Sequence, residues 1–159
     1  MPAGSEIERK FLVGDPPDDV ASHPSESIEQ GYIVVEGPAE VRVRRRGGRT
    51  LLTVKSGAGR VRVEEEFEID ERRFASLWPL SEGRRVAKTR YAMPAGGGLT
   101  IELDVYAGDL EGLTVAEVEF DSEAASDEFV PPDWFGPEVT DDHRYANRAL
   151  AVDGRPTAP

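Results

Sequence analysis

Charged and apolar residues alternate along much of this chain, and that period of two restricts the fold more than any other feature. In the stretch SEIERKFLV the ionisable side chains share one parity and the apolar side chains share the other: Glu6, Glu8 and Lys10 against Ile7, Phe11 and Val13. Successive side chains of a β-strand point to opposite faces. The pattern therefore predicts a strand with one charged face and one apolar face.

The same alternation recurs in later segments, which are separated by glycine-rich turns such as Gly47-Gly48 and Gly96–Gly98. We predict seven or eight strands that pair mostly as antiparallel hairpins. Three helices are expected: one in ERRFASLWPL capped by Asp70, one in SEAASDEF capped by Ser122, and a final one in TDDHRYANRAL capped by Thr140 or Asp141. This combination is an α+β domain that is mainly antiparallel β.

The charged residues are sorted by sign between the strands. Cations lie two apart on some strands and carboxylates two apart on others: Arg42/Arg44 and Lys88/Arg90 against Glu6/Glu8, Glu102/Asp104 and Glu117/Glu119. Like charges spaced in this way lie about 7 Å apart, and a merely solvated face would mix the signs to reduce their repulsion. If the sheet closes into a barrel with the charged faces inward, the cations surround an anionic ligand and the carboxylates hold a divalent metal. The alternative is an ordinary sheet with one solvated face.

Length and composition limit the class of protein. At 159 residues the chain is long enough for one domain, which we place at residues 1–152, followed by a disordered tail at 153–159. The absence of Cys removes disulfides and thiolate metal sites, and two His are too few for a histidine-rich metal centre. No apolar run has the length of a membrane span. The net charge of −12 disfavours nucleic acid and anionic membranes as partners.

The motifs resemble those of the CYTH domain family, also called the triphosphate tunnel metalloenzymes. The segment EIERK is similar to the family's Glu-x-Glu-x-Lys signature, and further matches follow in order: QGYI, the Arg-x-Arg of VRVRRR, LTVKS, RVEEEFEI, KTRY, IELDVYAGDLEGL, AEVEF and EVTDDHRYANRAL. The likeness runs from about residue 5 to residue 150. It implies an eight-stranded closed β-barrel that forms a triphosphate tunnel, with a few helices packed outside.

The resemblance also implies a set of site residues. The metal ligands would be Glu6, Glu8, Asp104, Glu117 and Glu119, with Glu102 near Asp104. Phosphate would be bound by Lys10, Arg42, Arg44, Lys55, Arg62, Lys88 and Arg90. The residues closest to the chemistry would be Lys10, Glu6, Glu8, Arg62 and Glu119. Glu64 and Glu66 match acidic tunnel positions to which the resemblance assigns no role.

The short bacterial form of the family implies hydrolysis of a triphosphate, above all of inorganic tripolyphosphate to pyrophosphate and orthophosphate. Ligands that are all carboxylates favour Mg²⁺ or Mn²⁺. Three alternatives stay open: a class IV adenylate cyclase, a thiamine triphosphatase, and a polyphosphate- or nucleotide-binding module without turnover. We expect a cytoplasmic enzyme with a small-molecule substrate and with no nucleic-acid or membrane partner. We also expect a homodimer, because few helices are available to cover the apolar strand faces.

Overall fold

Eight strands form one antiparallel sheet in the computed structural model, which describes residues 7–58 and 61–157 apart from the side chains at 58, 61 and 62. The strands are β1 (Ile7–Leu12), β2 (Ser25–Glu36), β3 (Ala39–Arg46), β4 (Arg49–Ala58), β5 (Val61–Glu68), β6 (Arg85–Pro94), β7 (Thr100–Ala107) and β8 (Thr114–Phe120). Their order across the sheet is β1-β8-β7-β6-β2-β3-β4-β5. The predicted α+β fold with eight antiparallel strands is therefore confirmed.

The two ends of the sheet are β1 and β5, and no ladder joins them within the described residues. The outer edge of β1 pairs instead with the segment 136–140. The Leu12 N–H donates to the Pro137 carbonyl at 2.9 Å, and the Val139 N–H donates to the Lys10 carbonyl at 2.8 Å. The segment 136–140 therefore occupies the edge of β1 that β5 would need for direct pairing. Closure of the sheet into a barrel stays a prediction.

The strand register places the charged parity of neighbouring strands on one surface. Opposite partners include Lys10 with Glu117, and Arg90 with Asp104. Directly opposite residues of an antiparallel pair point to the same side of the sheet. We call this surface the charged face; it includes Glu8, Lys10, Glu26, Glu40, Arg42, Arg44, Arg46, Lys55, Glu64, Glu66, Lys88, Arg90, Glu102, Asp104, Glu117 and Glu119.

The opposite surface of β6, β7 and β8 forms one of two hydrophobic cores. Its strand residues are at most 6% exposed: Met93, Ile101, Leu103, Ala116, Val118 and Phe120. The helix α2 (Glu123–Glu128) contacts β1 and β8, and the segment from Phe129 to Phe135 packs against the same core. The prediction that the apolar parity faces away from the charges and is covered there is confirmed for these strands.

The second hydrophobic core lies at one end of the charged side of the sheet. Tyr32, Val86, Tyr106 and Val115 share the parity of the charged residues on their strands and pack with Tyr145 and Leu150 from the C-terminal region. The helix α3 (Asn147–Asp153) therefore covers one end of the charged side. The resemblance implies a few helices packed outside, and α2 fits that expectation; α3 instead packs on the charged side, because the strand residues at this end are apolar.

Two helices begin where the sequence predicts. The Asp70 carboxylate accepts a hydrogen bond from the Arg73 N–H at the start of α1 (Glu71–Leu77), and the Ser122 hydroxyl accepts one from the Ala125 N–H at the start of α2. Such caps satisfy N–H groups that have no partner inside the helix. Within the described residues, no helix has both the length and the hydropathy needed to cross a membrane.

The final helix differs from its prediction. Residues His143–Tyr145 form a short 3₁₀ turn capped by Asp142, Ala146 is extended, and α3 starts only at Asn147. Thr140 is not a cap because it lies beside β1, where its hydroxyl oxygen accepts a hydrogen bond from the Lys10 N–H at 3.1 Å. Asp142, rather than the predicted Asp141, caps the turn by accepting from the Arg144 N–H. The helix also includes Asp153, the first residue of the tail that the sequence predicts to be disordered. The disorder of that tail stays a prediction.

Candidate active site

Four arginines gather on the charged face. Arg42, Arg44 and Arg46 alternate along β3, and Arg90 lies on β6. Burial lowers the pKa of Arg44, the attraction of Glu66 raises it, and the positive charges of the other three arginines lower it further. A partly buried cluster of like charges is unfavourable unless an anion compensates it. Each of the four pairs with a carboxylate, namely Glu40, Glu66, Glu26 and Asp104, so the arrangement indicates a surface on which an anionic ligand would compete with these partners.

Two of these arginines each have a buried donor without a partner. In the described part of the chain, the Nε atoms of Arg42 and Arg44 are buried and make no hydrogen bond. Other atoms of both side chains are engaged, since Arg42 lies 3.0 Å from Glu40 and Arg44 lies 3.6 Å from Glu66. A buried unpaired donor is rare in proteins and costs about 1–3 kcal/mol. Two such donors side by side indicate that a ligand supplies the acceptors.

Asp104 binds two cations at the centre of the charged face. Arg90 donates to its two carboxylate oxygens at 2.7 and 2.9 Å, and Lys88 Nζ lies 2.7 Å from Oδ2. Burial alone would raise the pKa of Asp104, but the hydrogen bonds from Arg90 and the charge of Lys88 hold it below its usual range. The sequence prediction made Asp104 a metal ligand. In the structure both of its oxygens are occupied by cationic side chains.

Two lysines project into the same region. Lys88 is 5% exposed, and this burial lowers the pKa of its ammonium despite the nearby charge of Asp104. Lys10 Nζ lies 3.2 Å from Glu117 and donates to the Tyr145 carbonyl at 3.3 Å. Lys10 and Lys88, two of the three lysines predicted to bind phosphate, are therefore held on the charged face by contacts within the protein.

Carboxylates gather at the end of the charged face that α3 leaves uncovered. Glu8 lies opposite Glu119 across β1 and β8, and Glu102 lies opposite Glu117 across β7 and β8. Within the described residues, no group of three or more histidine or carboxylate side chains is arranged to hold a metal ion. The predicted ligand Glu6 lies outside those residues, so the predicted ligand set stays a prediction.

Space for a ligand lies between these groups. Two neighbouring clefts of about 230 Å³ share Glu26 and Arg46 in their walls; Arg44 lines one of them, and Arg90 with Glu102 lines the other. A larger cleft of about 760 Å³ is lined by residues 138–144. We do not assign phosphate binding to it, because three carboxylates, Glu138, Asp141 and Asp142, line it beside a single arginine, Arg144.

The predicted site residues whose side chains the structure describes lie on one face, and the sequence prediction omitted some of their neighbours. Lys55 is paired with Glu64 at 3.7 Å, and Arg62 belongs to β5 with its side chain outside the described residues. The omitted residues on this side of the sheet are Glu26, Gln30, Glu40 and Arg46. Parity alone could have added Glu40 and Arg46, which continue the even-numbered series of β3, whereas β2 has no regular alternation to reveal the other two.

Comparison with known proteins agrees with these motifs. Residues 4–144 match the model of the CYTH domain. The inorganic triphosphatase of Nitrosomonas europaea is 48% identical over 150 residues, which span 93% of this chain and 97% of that protein. The inorganic triphosphatase of Acetivibrio thermocellus is 39% identical over 150 residues, which span 92% of this chain and 93% of that protein.

A solved structure shares the architecture as well. The crystal structure of an inorganic triphosphatase matches with a TM-score of 0.81 and 46% identity, over 93% of this chain and 95% of that one. The family model, the sequence relatives and the solved structure each cover nearly the whole chain. This chain belongs to the CYTH domain family.

Proposed function

We propose that this protein is a metal-dependent triphosphatase that hydrolyses inorganic tripolyphosphate to pyrophosphate and orthophosphate on the charged face. The observation that carries the proposal is the pair of buried, unpaired Nε donors of Arg42 and Arg44 in the described part of the chain, within a cluster of four arginines. The two relatives described above are both inorganic triphosphatases. The geometry of the site and the likeness therefore point to the same class of ligand.

The charge of a linear triphosphate suits this face. Three linked phosphates carry about four to five negative charges near neutral pH. Arginine presents a planar fork of donors to phosphate oxygens, whereas lysine offers a compact charge. The proposed phosphate-binding residues are Lys10, Arg42, Arg44, Lys55, Arg62, Lys88 and Arg90. Arg46, which the sequence prediction omitted, joins them because it lies in the same cluster.

The carboxylates of the charged face suit a hard divalent cation. CYTH triphosphatases generally depend on a divalent metal, and carboxylate oxygens favour Mg²⁺ or Mn²⁺. Glu8 and Glu119, which lie opposite each other, would hold it together with Glu6 and Glu117. Such a cation would neutralise phosphate charge and lower the pKa of a bound water molecule. Asp104 would ligate a second metal only by giving up a contact with Arg90 or Lys88.

The side chains of the charged face would contribute mainly positioning and charge neutralisation, which supply most of the acceleration in phosphoryl transfer. Lys10 has two contacts within the protein, to Glu117 and to the Tyr145 carbonyl. Because an ammonium has three donors, one is left for a phosphate oxygen. The proposed catalytic residues are Lys10, Glu6, Glu8, Arg62 and Glu119, and one of the three carboxylates would orient the attacking water.

Product analysis tests the proposal. The purified protein is incubated with Mg²⁺ or Mn²⁺ and, in separate reactions, with tripolyphosphate, ATP or thiamine triphosphate, and the products are identified by ³¹P NMR. We expect equal amounts of pyrophosphate and orthophosphate from tripolyphosphate, and neither product after chelation of the metal. Cyclic AMP and pyrophosphate from ATP would identify a cyclase instead. Preferential cleavage of thiamine triphosphate, or binding without any product, would also overturn the proposal.

A pair of arginine variants places the activity on the charged face. Arg44→Met should reduce hydrolysis of tripolyphosphate strongly. Arg45→Met is the matched control, because Arg45 points to the opposite side of β3, pairs with Glu71 and lies over the ring of Phe74. We expect the control to keep its activity. Equal losses in the two variants would place the reaction elsewhere.

A further inference from the structure

Asn147 lies where the C-terminal helix meets the charged face, as the first residue of α3. Its side-chain oxygen accepts two hydrogen bonds, one from Lys88 Nζ at 3.3 Å and one from the Tyr106 hydroxyl at 3.1 Å. The amide nitrogen cannot accept a hydrogen bond, so two donors on one side define the orientation of the amide. Asn147 is therefore held with its oxygen toward the predicted phosphate-binding lysine.

The ammonium of Lys88 has few directions left open. It lies 2.7 Å from Asp104 Oδ2 and 5.3 Å from the centre of the Tyr106 ring. Of its three donors, one is directed to Asp104 and a second to Asn147. One N–H of Lys88 is left for a phosphate oxygen. The direction of that N–H is fixed by the two N–H groups that point to Asp104 and Asn147.

The backbone that carries Asn147 is itself fixed. Leu150 and Ala151 of the same helix are buried against the strand residues Val86 and Tyr106. The helix therefore cannot shift along the sheet without opening this core. The position of the Asn147 backbone therefore follows from packing that involves none of the charged residues.

We propose that Asn147 is a positioning residue that orients the Lys88 ammonium toward the triphosphate. The inference rests on the proposed function, because it concerns how one phosphate-binding cation of that site is held. A neutral acceptor suits this position. A carboxylate here would place a second negative charge beside an ammonium that Asp104 already pairs, and would weaken its attraction for phosphate.

Binding and turnover of tripolyphosphate test the proposal in six proteins: the wild type, N147L, N147D, K88M and the double variants N147L/K88M and N147D/K88M. Calorimetry gives the dissociation constant, and phosphate release gives kcat/KM. We expect N147L to lower kcat/KM by about tenfold or more, as for loss of a hydrogen bond to a charged group. In the K88M background, N147L should have no further effect, because no ammonium remains to be oriented.

N147D separates positioning from a structural role. Asp keeps the size and the accepting oxygen of Asn, so a merely structural role predicts binding like that of the wild type. The proposal predicts weaker binding of tripolyphosphate in N147D, and a smaller loss when N147D is combined with K88M, whereas repulsion between the new carboxylate and the ligand alone would persist without Lys88. This comparison also serves if N147L does not fold. L150V is the matched control on the same helix, because it thins the core without touching a polar contact; we expect a lower melting temperature and an unchanged kcat/KM.

Two results would overturn the role of Asn147. One is wild-type binding and turnover in N147D together with an effect of N147L on the melting temperature alone. The other is an equal loss of binding from N147L with and without Lys88. A wild-type protein that does not hydrolyse tripolyphosphate would instead overturn the proposed function, and the calorimetric comparison with tripolyphosphate would then still decide whether Asn147 acts through Lys88.

Discussion

At Arg44, burial and neighbouring cations both act against the positive charge. Replacement by Met should weaken tripolyphosphate binding by about 10- to 150-fold, which corresponds to roughly 1.5–3 kcal/mol for a hydrogen bond to a charged group. The ligand-free protein should melt at the same or a higher temperature, because repulsion within the arginine cluster falls. Calorimetry and thermal melts measure the two effects. An unchanged dissociation constant would contradict the assignment of Arg44 to phosphate.

Asp104 stabilises the folded protein, whereas the charge of Arg44 does not. Its carboxylate is 2% exposed and compensates both Lys88 and Arg90. Asp104→Asn would leave two cations without their main counterion, so we expect a loss of about 3–5 kcal/mol in the free energy of unfolding. Urea denaturation measures the loss, with the exposed Asp109→Asn as control. A loss similar to that of the control would show that the pairs with Asp104 do not stabilise the fold.

The sequence predicts on which face of the sheet a side chain lies, because that depends only on its parity along the strand. Parity placed Lys10, Arg44, Lys88 and Arg90 on one surface, and the register confirms this placement. Parity carries no information on which carboxylate pairs with which cation. The engagement of Asp104 by two cations could not be predicted, because it depends on the alignment of β6 with β7.

The strand β1, which carries Glu8 and Lys10, is held by residues that lie outside the charged face. Arg9 points to the opposite side, donates to both carboxylate oxygens of Glu138 at 3.0 and 2.7 Å, and also donates to the carbonyls of Ser126 and Phe129. The Thr140 hydroxyl links Glu138 to the Lys10 N–H. The position of β1 therefore depends on the segment 136–140 as well as on β8.

The acid dependence of stability should report this contact. Hydrogen bonds from Arg9, supported by one from Thr140, hold the pKa of Glu138 below its usual value of 4.5. A carboxylate with a lowered folded-state pKa stabilises the protein above its unfolded-state value, and the contribution is lost as pH falls through the folded-state value. Glu138→Gln should therefore be less stable than the wild type near neutral pH, and the difference should shrink well below pH 4.5.

Urea denaturation at a series of pH values measures this difference. Glu111→Gln is the control, because Glu111 is exposed and lies in a turn away from β1. A deficit of Glu138→Gln that stays constant from neutral to acid pH would show that the ionised carboxylate does not contribute. A loss of stability in Glu138→Gln as small as that in Glu111→Gln would also show that the ionised Glu138 carboxylate does not contribute.

The strands were predictable because a period of two is a local property of the sequence. The final helix was not. Its segment has helical spacing, but the preceding residues pair with β1, more than 120 positions away in the chain, and the helix can begin only after Ala146. Tertiary pairing of this kind overrides local propensity.

The outer surface of the sheet is covered unequally. The strands β6 to β8 are packed under α2 and its following segment, whereas Val34, Val63 and Phe67 on β2 and β5 are 44%, 56% and 50% exposed. Glu65 lies between Val63 and Phe67 on the same side of β5, and single exposed apolar residues are normal on protein surfaces. The homodimer therefore stays a prediction.

Sedimentation measures the state of assembly directly. We expect the mass of a dimer for the wild type and of a monomer for Phe67→Glu. Val130→Glu is the control, because Val130 is exposed but lies outside the sheet. A wild-type monomer at every concentration, or dissociation of the control to the same extent, would contradict this interface.

Strand parity predicts that the charged residues share one face, whereas closure of the sheet is implied only by the family resemblance and stays a prediction. Closure depends on whether β5 or another segment reaches the outer edge of β1, and in the described residues the segment 136–140 pairs there. Likewise, α3 covers one end of the charged side through contacts with β2 and β6. Both features join parts of the chain that are far apart in sequence, and local periodicity does not record them.

A crystal structure of the protein with tripolyphosphate, prepared without divalent metal to prevent turnover, tests the central claim most directly. We expect phosphate oxygens at about 2.7–3.2 Å from the Nε atoms of Arg42 and Arg44, the usual distance for such hydrogen bonds. Tripolyphosphate bound away from the charged face, with both Nε atoms still buried and unpaired, would contradict the claim that these arginines form the triphosphate site.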